Sequence, residues 1–214
     1  MSRTMFNAQC GTGRRAFLGV MCVAMAAMLM FGGCVADDNP STPKDGDGQT
    51  IDGDYAYTGR TVKIGSLTWM AENLNRVTDN SWCYDNIASN CVRYGRLYTW
   101  DAAMSACPAG WRLPDREDWD DLLAAVDNPT CTKLKSRAPD WNGTDDFGFS
   151  ALPGGYRYAD GSFDYFGTGS GWWSTAEWQA NVDDARYLYM SSSCANTAWY
   201  NDNKNSGFSV RCVQ

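Results

Sequence analysis

The residues able to do chemistry in this 214-residue chain are unevenly supplied: there are nine Cys, 25 acidic side chains and no His. Without His, Ser-His-Asp and Cys-His nucleophile systems are excluded, as are His-bound zinc and iron. Carboxylates remain, and a pair of them is the equipment of glycoside hydrolysis. Asp145 with Asp146, and Asp183 with Asp184, are adjacent in loop-like sequence and read as solvated surface. Asp45, Asp47, Asp52 and Asp54 lie among glycines but lack the spacing and terminal Glu of an EF-hand, so they read as linker. The cysteines point to structural chemistry. Cys83, Cys91, Cys107, Cys131, Cys194 and Cys212 form an even set with no CxxC pair, which predicts disulfides of open connectivity rather than a metal site. Cys83 and Cys91 bracket the polar stretch YDNIASN, a loop that a local bridge would close.

The elements that must position these side chains centre on Tyr94 to Val126. Leu97, Trp100, Met104 and Cys107 recur at helical spacing and predict a first helix, stopped by Pro108. Trp119, Leu122, Leu123 and Val126 predict a second, with Asp115 and Asp118 spaced as an N-terminal cap. Val62 and Ile64, then Leu67 and Trp69, alternate around Gly65 and Ser66 and predict a hairpin. Arg186 to Met190 alternates too, with Leu188 and Met190 on one side and Tyr187 and Tyr189 on the other. Phe208, Val210 and Cys212 predict a closing strand. Such strands would make the sheet that both helices cover. From Tyr55 onward roughly 160 residues remain, the size of one domain with one core.

The preceding segments read differently. Residues 1–33 carry Arg3, Arg14 and Arg15, no acid, and an apolar run from Ala16 to Phe31, the profile of an export signal. The run is marginal for a membrane span and ends in Phe31, Gly32, Gly33, Cys34, which resembles the bacterial lipobox. Cys34 is therefore the expected lipidation site, and residues 34–54 a flexible acidic tether. Arg14 and Arg15 resemble a twin-arginine pattern, so both export routes stay open. Removing residues 1–33 takes away three positive charges and no negative ones, moving the net charge from −7 to −10. That acidity argues against nucleic acid as a partner. The expectation is a bacterial outer-membrane protein held by its N-terminal lipid alone, with the acidic pair Asp37 and Asp38 resembling a surface-export signal.

The strings TVKIGSLTWMAENLN, YGRLYTWDAA, ACPAGWRLP, FGFSALPGGYR, GWWSTAEW and GFSVRCV resemble the Fibrobacter succinogenes major paralogous (FISUMP) domain from about Tyr55 to the C-terminus. That family looks like a relative of the C-type-lectin-like fold. The resemblance implies an α+β domain with two helices packed on small, mainly antiparallel sheets, long loops and disulfides. It also implies pairing of Cys107 with Cys212, with Cys83–Cys91 as the local bridge and Cys131–Cys194 left as the third.

A lectin-like relationship implies binding rather than catalysis, through the loops between Trp141 and Ser170. Trp141, Tyr158, Phe163 and Tyr165 are the expected stacking residues, and Trp172 and Trp173, if they lie on a strand, would face opposite ways, so one could be exposed. Trp199, Asn201 and Asp202 resemble the Trp-Asn-Asp calcium motif of lectins with Tyr200 inserted. The companion Glu-Pro-Asn motif is absent, so calcium is a weaker expectation than no cofactor at all. Formylglycine-generating enzymes share a related fold and use two reactive Cys, but three disulfides would consume all six here. The expected function is a non-catalytic module binding polysaccharide or a cell-envelope protein, with a structural surface role as the alternative.

Overall fold

A computed structural model describes residues 57–214; the expected signal at 1–33, Cys34 and the tether at 34–54 lie outside the described residues. The predicted hairpin is present. β1 (Thr61–Ile64) pairs antiparallel with β2 (Leu67–Met70), with Ile64 opposite Leu67, so the turn is two residues long. Gly65 has φ 66°, which costs a residue without Cβ little. β3 (Ser81–Trp82) pairs with β4 (Leu97–Tyr98). Between them the bridged stretch is not a loop: a 3-10 turn (Tyr84–Asn86) leads into α1 (Ala88–Tyr94).

The first long-predicted helix is shorter than its apolar spacing suggests. α2 spans Trp100–Ala106, because Thr99 caps it by accepting a hydrogen bond from the Ala102 N–H at 3.3 Å. Leu97 belongs to β4, and Met104 is 47% exposed. The buried stripe is Trp100, Ala103 and Ala106 instead. Cys107 is extended, as a residue before proline tends to be. α3 (Arg116–Val126) begins with the predicted cap. The Asp115 carboxylate accepts from the Asp118 N–H at 2.9 Å, and that of Asp118 accepts from the Asp115 N–H at 2.8 Å. Arg112 forks onto the same Asp118 carboxylate. Burial alone would raise the Asp118 pKa, but the Arg112 and Asp115 hydrogen bonds outweigh it and hold the group below the usual carboxylate range. Trp119, Leu122 and Val126 are buried, and Leu123 is half-buried. The short α4 (Thr130–Leu134) follows.

The remaining strands are β5 (Gly154–Arg157), β6 (Phe163–Phe166), β7 (Gly169–Glu177), β8 (Asp184–Ser191) and β9 (Ala198–Asn203). They form one sheet in the order β6-β5-β7-β8-β9, antiparallel except where Gly155 of β5 bridges Ser170 of β7 in parallel. The segment expected as a closing strand, Phe208 to Val213, joins no single sheet. It bridges Tyr98, Trp172, Trp69 and Arg112 in turn and is buried on both sides. Arg211 within it is fully buried. It donates to Asn73 Oδ1 (2.9 Å), to the Ser150 carbonyl (2.9 Å) and to the Phe149 carbonyl. Burial lowers the Arg211 pKa to about 9.

The five-stranded sheet separates two cores. On one side Trp172 packs with Phe149, Trp69, Trp119, Leu188 and Met190; on the other Trp173 packs with Tyr98, Phe208, Tyr187 and Val210. The two tryptophans do face opposite ways on β7, but neither is exposed, because at this point both sheet faces are covered and both rings are fully buried. Disulfides join Cys83–Cys91, Cys107–Cys212 and Cys131–Cys194. The architecture is α+β: two small sheets, a larger five-stranded one and short helices among the described residues.

Candidate binding face

Along β8, successive side chains alternate between the two sheet faces, so Leu188 and Met190 enter one core while Tyr187 and Tyr189 point the other way. The pairing register then assembles an aromatic face. Tyr187 lies opposite Tyr200 of β9 with ring centroids 6.1 Å apart, and Tyr189 lies 5.7 Å from Tyr200. Tyr165 of β6 stacks on Tyr156 of β5 at 4.9 Å and reaches Tyr189 at 6.3 Å. Tyr158 completes the group, its ring 5.1 Å from that of Tyr156 and its hydroxyl 3.3 Å from the Tyr156 hydroxyl. Phe208 forms the floor, 4.1 Å from Tyr187 and 5.0 Å from Tyr156.

Glycines on β7 make room for these rings. A Cβ on Gly171 would lie 2.5 Å from Phe208 and 2.7 Å from Tyr187, and one on Gly169 would lie 2.5 Å from the Tyr189 hydroxyl. Exposure rises from the floor outward. Tyr156 and Tyr187 are buried, Tyr158 and Tyr189 half-buried, Tyr165 39% exposed and Tyr200 51% exposed. Burial raises the Tyr156, Tyr187 and Tyr189 pKa values, that of Tyr189 to about 12. Hydrogen bonding to Tyr158 adds to the first, the Asp202 charge to the second, and neighbouring tyrosines with Asp164 to the third.

The expected stacking residues and the calcium-like Trp199, Asn201 and Asp202 divide among different places. Tyr158, Tyr165 and Asp202 belong to this face; Asp202 is two residues along β9 from Tyr200 and accepts from Ser206 Oγ at 2.9 Å. Trp141 does not belong. It is 5% exposed, donates its indole N–H to Ser192 Oγ at 3.0 Å, and has the buried Lys135 ammonium 5.4 Å from its ring centroid. Phe163 packs on Tyr84 at 5.2 Å instead. Trp199 and Asn201 occupy the reverse of β9. The Trp199 ring faces Arg116 and donates to Asp120 Oδ1 at 3.2 Å, and Asn201 donates to Asp184 Oδ2 at 3.1 Å. Asn201 and Asp202 thus point to opposite sides of the strand. Among the described residues no three His, Cys, Asp or Glu side chains cluster as metal ligands.

The expected residues omit Tyr156, Tyr187, Tyr189 and Tyr200. The signal for the first three is the i, i+2 recurrence of Tyr156 with Tyr158 and of Tyr187 with Tyr189 on strands, whereas Tyr200 is flanked at that spacing by Ala198 and Asp202.

A cleft of about 740 Å³ shares no residue with this face and has no aromatic lining. It is walled by Arg60, Glu72, Arg93, Asp140, Arg137 and Asp145. Its charges are largely satisfied internally: Arg60 pairs with Glu72 at 3.1 Å, Arg93 pairs with Asp140, and Asp145 accepts from the Ser150 N–H and hydroxyl, each at 2.7 Å.

No curated protein and no solved structure matches the chain. A family model does: that of the Fibrobacter succinogenes major domain aligns with residues 62–214, which takes in both cores, all three disulfides and the whole tyrosine face. The chain therefore belongs to the Fibrobacter succinogenes major domain family.

Proposed function

We propose that this chain is a non-catalytic binding module whose ligand is polysaccharide, held on the tyrosine face of the five-stranded sheet. The observation that carries the reading is the set of graded tyrosine exposures, ending in Tyr165 and Tyr200 at the surface. Tyrosine rings present an apolar surface with a polar tip, which suits the C–H faces and hydroxyls of a sugar ring. A polar rim is present in Asp164 and Asp202. The bonding of all six domain cysteines supports binding over a Cys-dependent oxidoreductase. The α+β build, with a Cys107–Cys212 clasp from the end of α2 to the last extended segment, supports a C-type-lectin-like relationship. The lipobox-like ending at Cys34 and the acidic tether support display from the outer membrane by lipid. A glycan array probed with the purified chain and with its Tyr165→Ala/Tyr200→Ala variant tests the reading. Glycan signals present with the first and lost with the second are expected; an array silent for both would move the ligand to a cell-envelope protein.

A further inference from the structure

The polysaccharide reading leaves the class of glycan open, and the charges around the face narrow it. Asp164 lies on β6 opposite Tyr156, exposed, beside Tyr165. Asp202 lies on β9 beyond Tyr200, half-buried, with Ser206 Oγ and the Asn203 N–H both on its Oδ1. The two carboxylates therefore sit at the two ends of the row Tyr165, Tyr189, Tyr200. That row advances in ring-to-ring steps of 6.3 and 5.7 Å.

The nearby cations are engaged away from the row. The Arg157 guanidinium lies over the Trp82 ring at 4.0 Å. The Lys204 ammonium lies over Trp100 at 4.6 Å and pairs with Glu177 at 3.4 Å. The Arg186 guanidinium lies over Trp178 at 4.2 Å. After burial, Asp202 acts on the Tyr187 phenol and Asp164 on that of Tyr189, and both carboxylates push the phenol pKa upward.

Resting on the proposed function, we infer that the tyrosine face selects against acidic sugars, with Asp164 and Asp202 as specificity-determining residues that accept hydroxyls of a pyranose chain and repel carboxylate and sulfate groups. A carboxylate or sulfate on the ligand would have to approach two fixed negative charges while Arg157, Arg186 and Lys204 are held over other rings, on a chain whose net charge is −7. A hydroxyl, by contrast, donates to either carboxylate in a charge-assisted hydrogen bond.

The test is a titration of the full chain, disulfides intact, with three oligosaccharide probes: a neutral hexose oligomer, an oligogalacturonate and a glucosamine oligomer. Each is measured at low and high salt. The neutral oligomer should bind at least about tenfold more tightly than the uronate, a factor worth ~1.4 kcal/mol. That ratio should shrink with salt and in the Asp164→Asn/Asp202→Asn variant. Equal or tighter uronate binding overturns the selection, as does a ratio that the variant leaves unchanged. The glucosamine oligomer should bind at least as tightly as the neutral one; weaker binding of it than of the uronate overturns the charge selection while leaving the tyrosine reading standing. If none of the three binds, both the selection and the polysaccharide reading fall.

Discussion

The two faces of the five-stranded sheet are built from neighbouring residues and end differently. On the Trp172 face, the β1–β2 hairpin and α3 close over the sheet; Phe149 meets Trp69, Trp119 and Trp172 edge to face, Trp69 packs tilted on Trp119, and all four rings are buried. On the Trp173 face, α2 and the Phe208–Val210 segment cover the centre only. Beyond them, β6, β8 and β9 carry tyrosines whose rings climb out to solvent at Tyr165 and Tyr200. The difference lies in what covers each face rather than in hydrophobicity. A closed face commits its aromatics to stability, whereas a partly covered face leaves aromatic surface for a ligand.

The comparison predicts opposite consequences for ring removal. Trp172→Ala should cost about 3–5 kcal/mol of unfolding free energy, read from the shift in denaturant midpoint, because it empties a fully buried site and releases Asn73 from the indole N–H. A loss no larger than that for Tyr200→Ala would break the distinction between the faces. Disrupting the start of α3 should cost less. Asp118→Ala removes both the capping partner and the Arg112 fork, about 1–2 kcal/mol. Tyr200→Ala, at a half-exposed position, should cost under about 1 kcal/mol in the same assay.

Titration sharpens the same contrast. The Asp118 pKa is lowered on folding, so its contribution is present above the ordinary carboxylate value of 3.8 and is lost as pH falls through the folded value. Acid unfolding of the native chain should therefore begin earlier when Asp118 is replaced by Asn. Tyr156, Tyr187 and Tyr189 act at the other end of the scale. Their pKa values are raised on folding, so their contribution is complete below 10.0 and is lost as pH rises toward the folded values, about 12 for Tyr189. Ultraviolet absorbance should show phenolate from these rings only well above pH 10, coincident with alkaline unfolding. Their ionisation near 10 in the folded chain would mean that the face is open to water throughout.

Local features were the most legible in the sequence. The Asp115/Asp118 cap, the hairpin at Gly65 and the β8 alternation all depend on residues a few positions apart, and each is present. The extent of α2 differs from its apolar spacing because Leu97 lies before the Thr99 cap and Cys107 is the extended residue before Pro108, neither of which the periodicity registers. The burial of Trp141 depends on Lys135 and Ser192, and the face itself depends on the parallel bridge Gly155–Ser170 and on the β8–β9 register. None of these contacts leaves a local trace. Tyr165 and Tyr158 are reached through the family resemblance, whereas the sequence reading gives Tyr187 and Tyr189 only as one side of an alternating strand and Tyr200 only as the insertion in a calcium-like motif.

The most direct measurement is calorimetric titration of a neutral hexose oligomer into the chain and into Tyr165→Ala/Tyr200→Ala, alongside the melting temperature of each. Saturable binding that weakens at least about tenfold in the variant, with a melting temperature shifted by only a few degrees, is the expected result. Binding of equal strength in both proteins would contradict a ligand site on the tyrosine face.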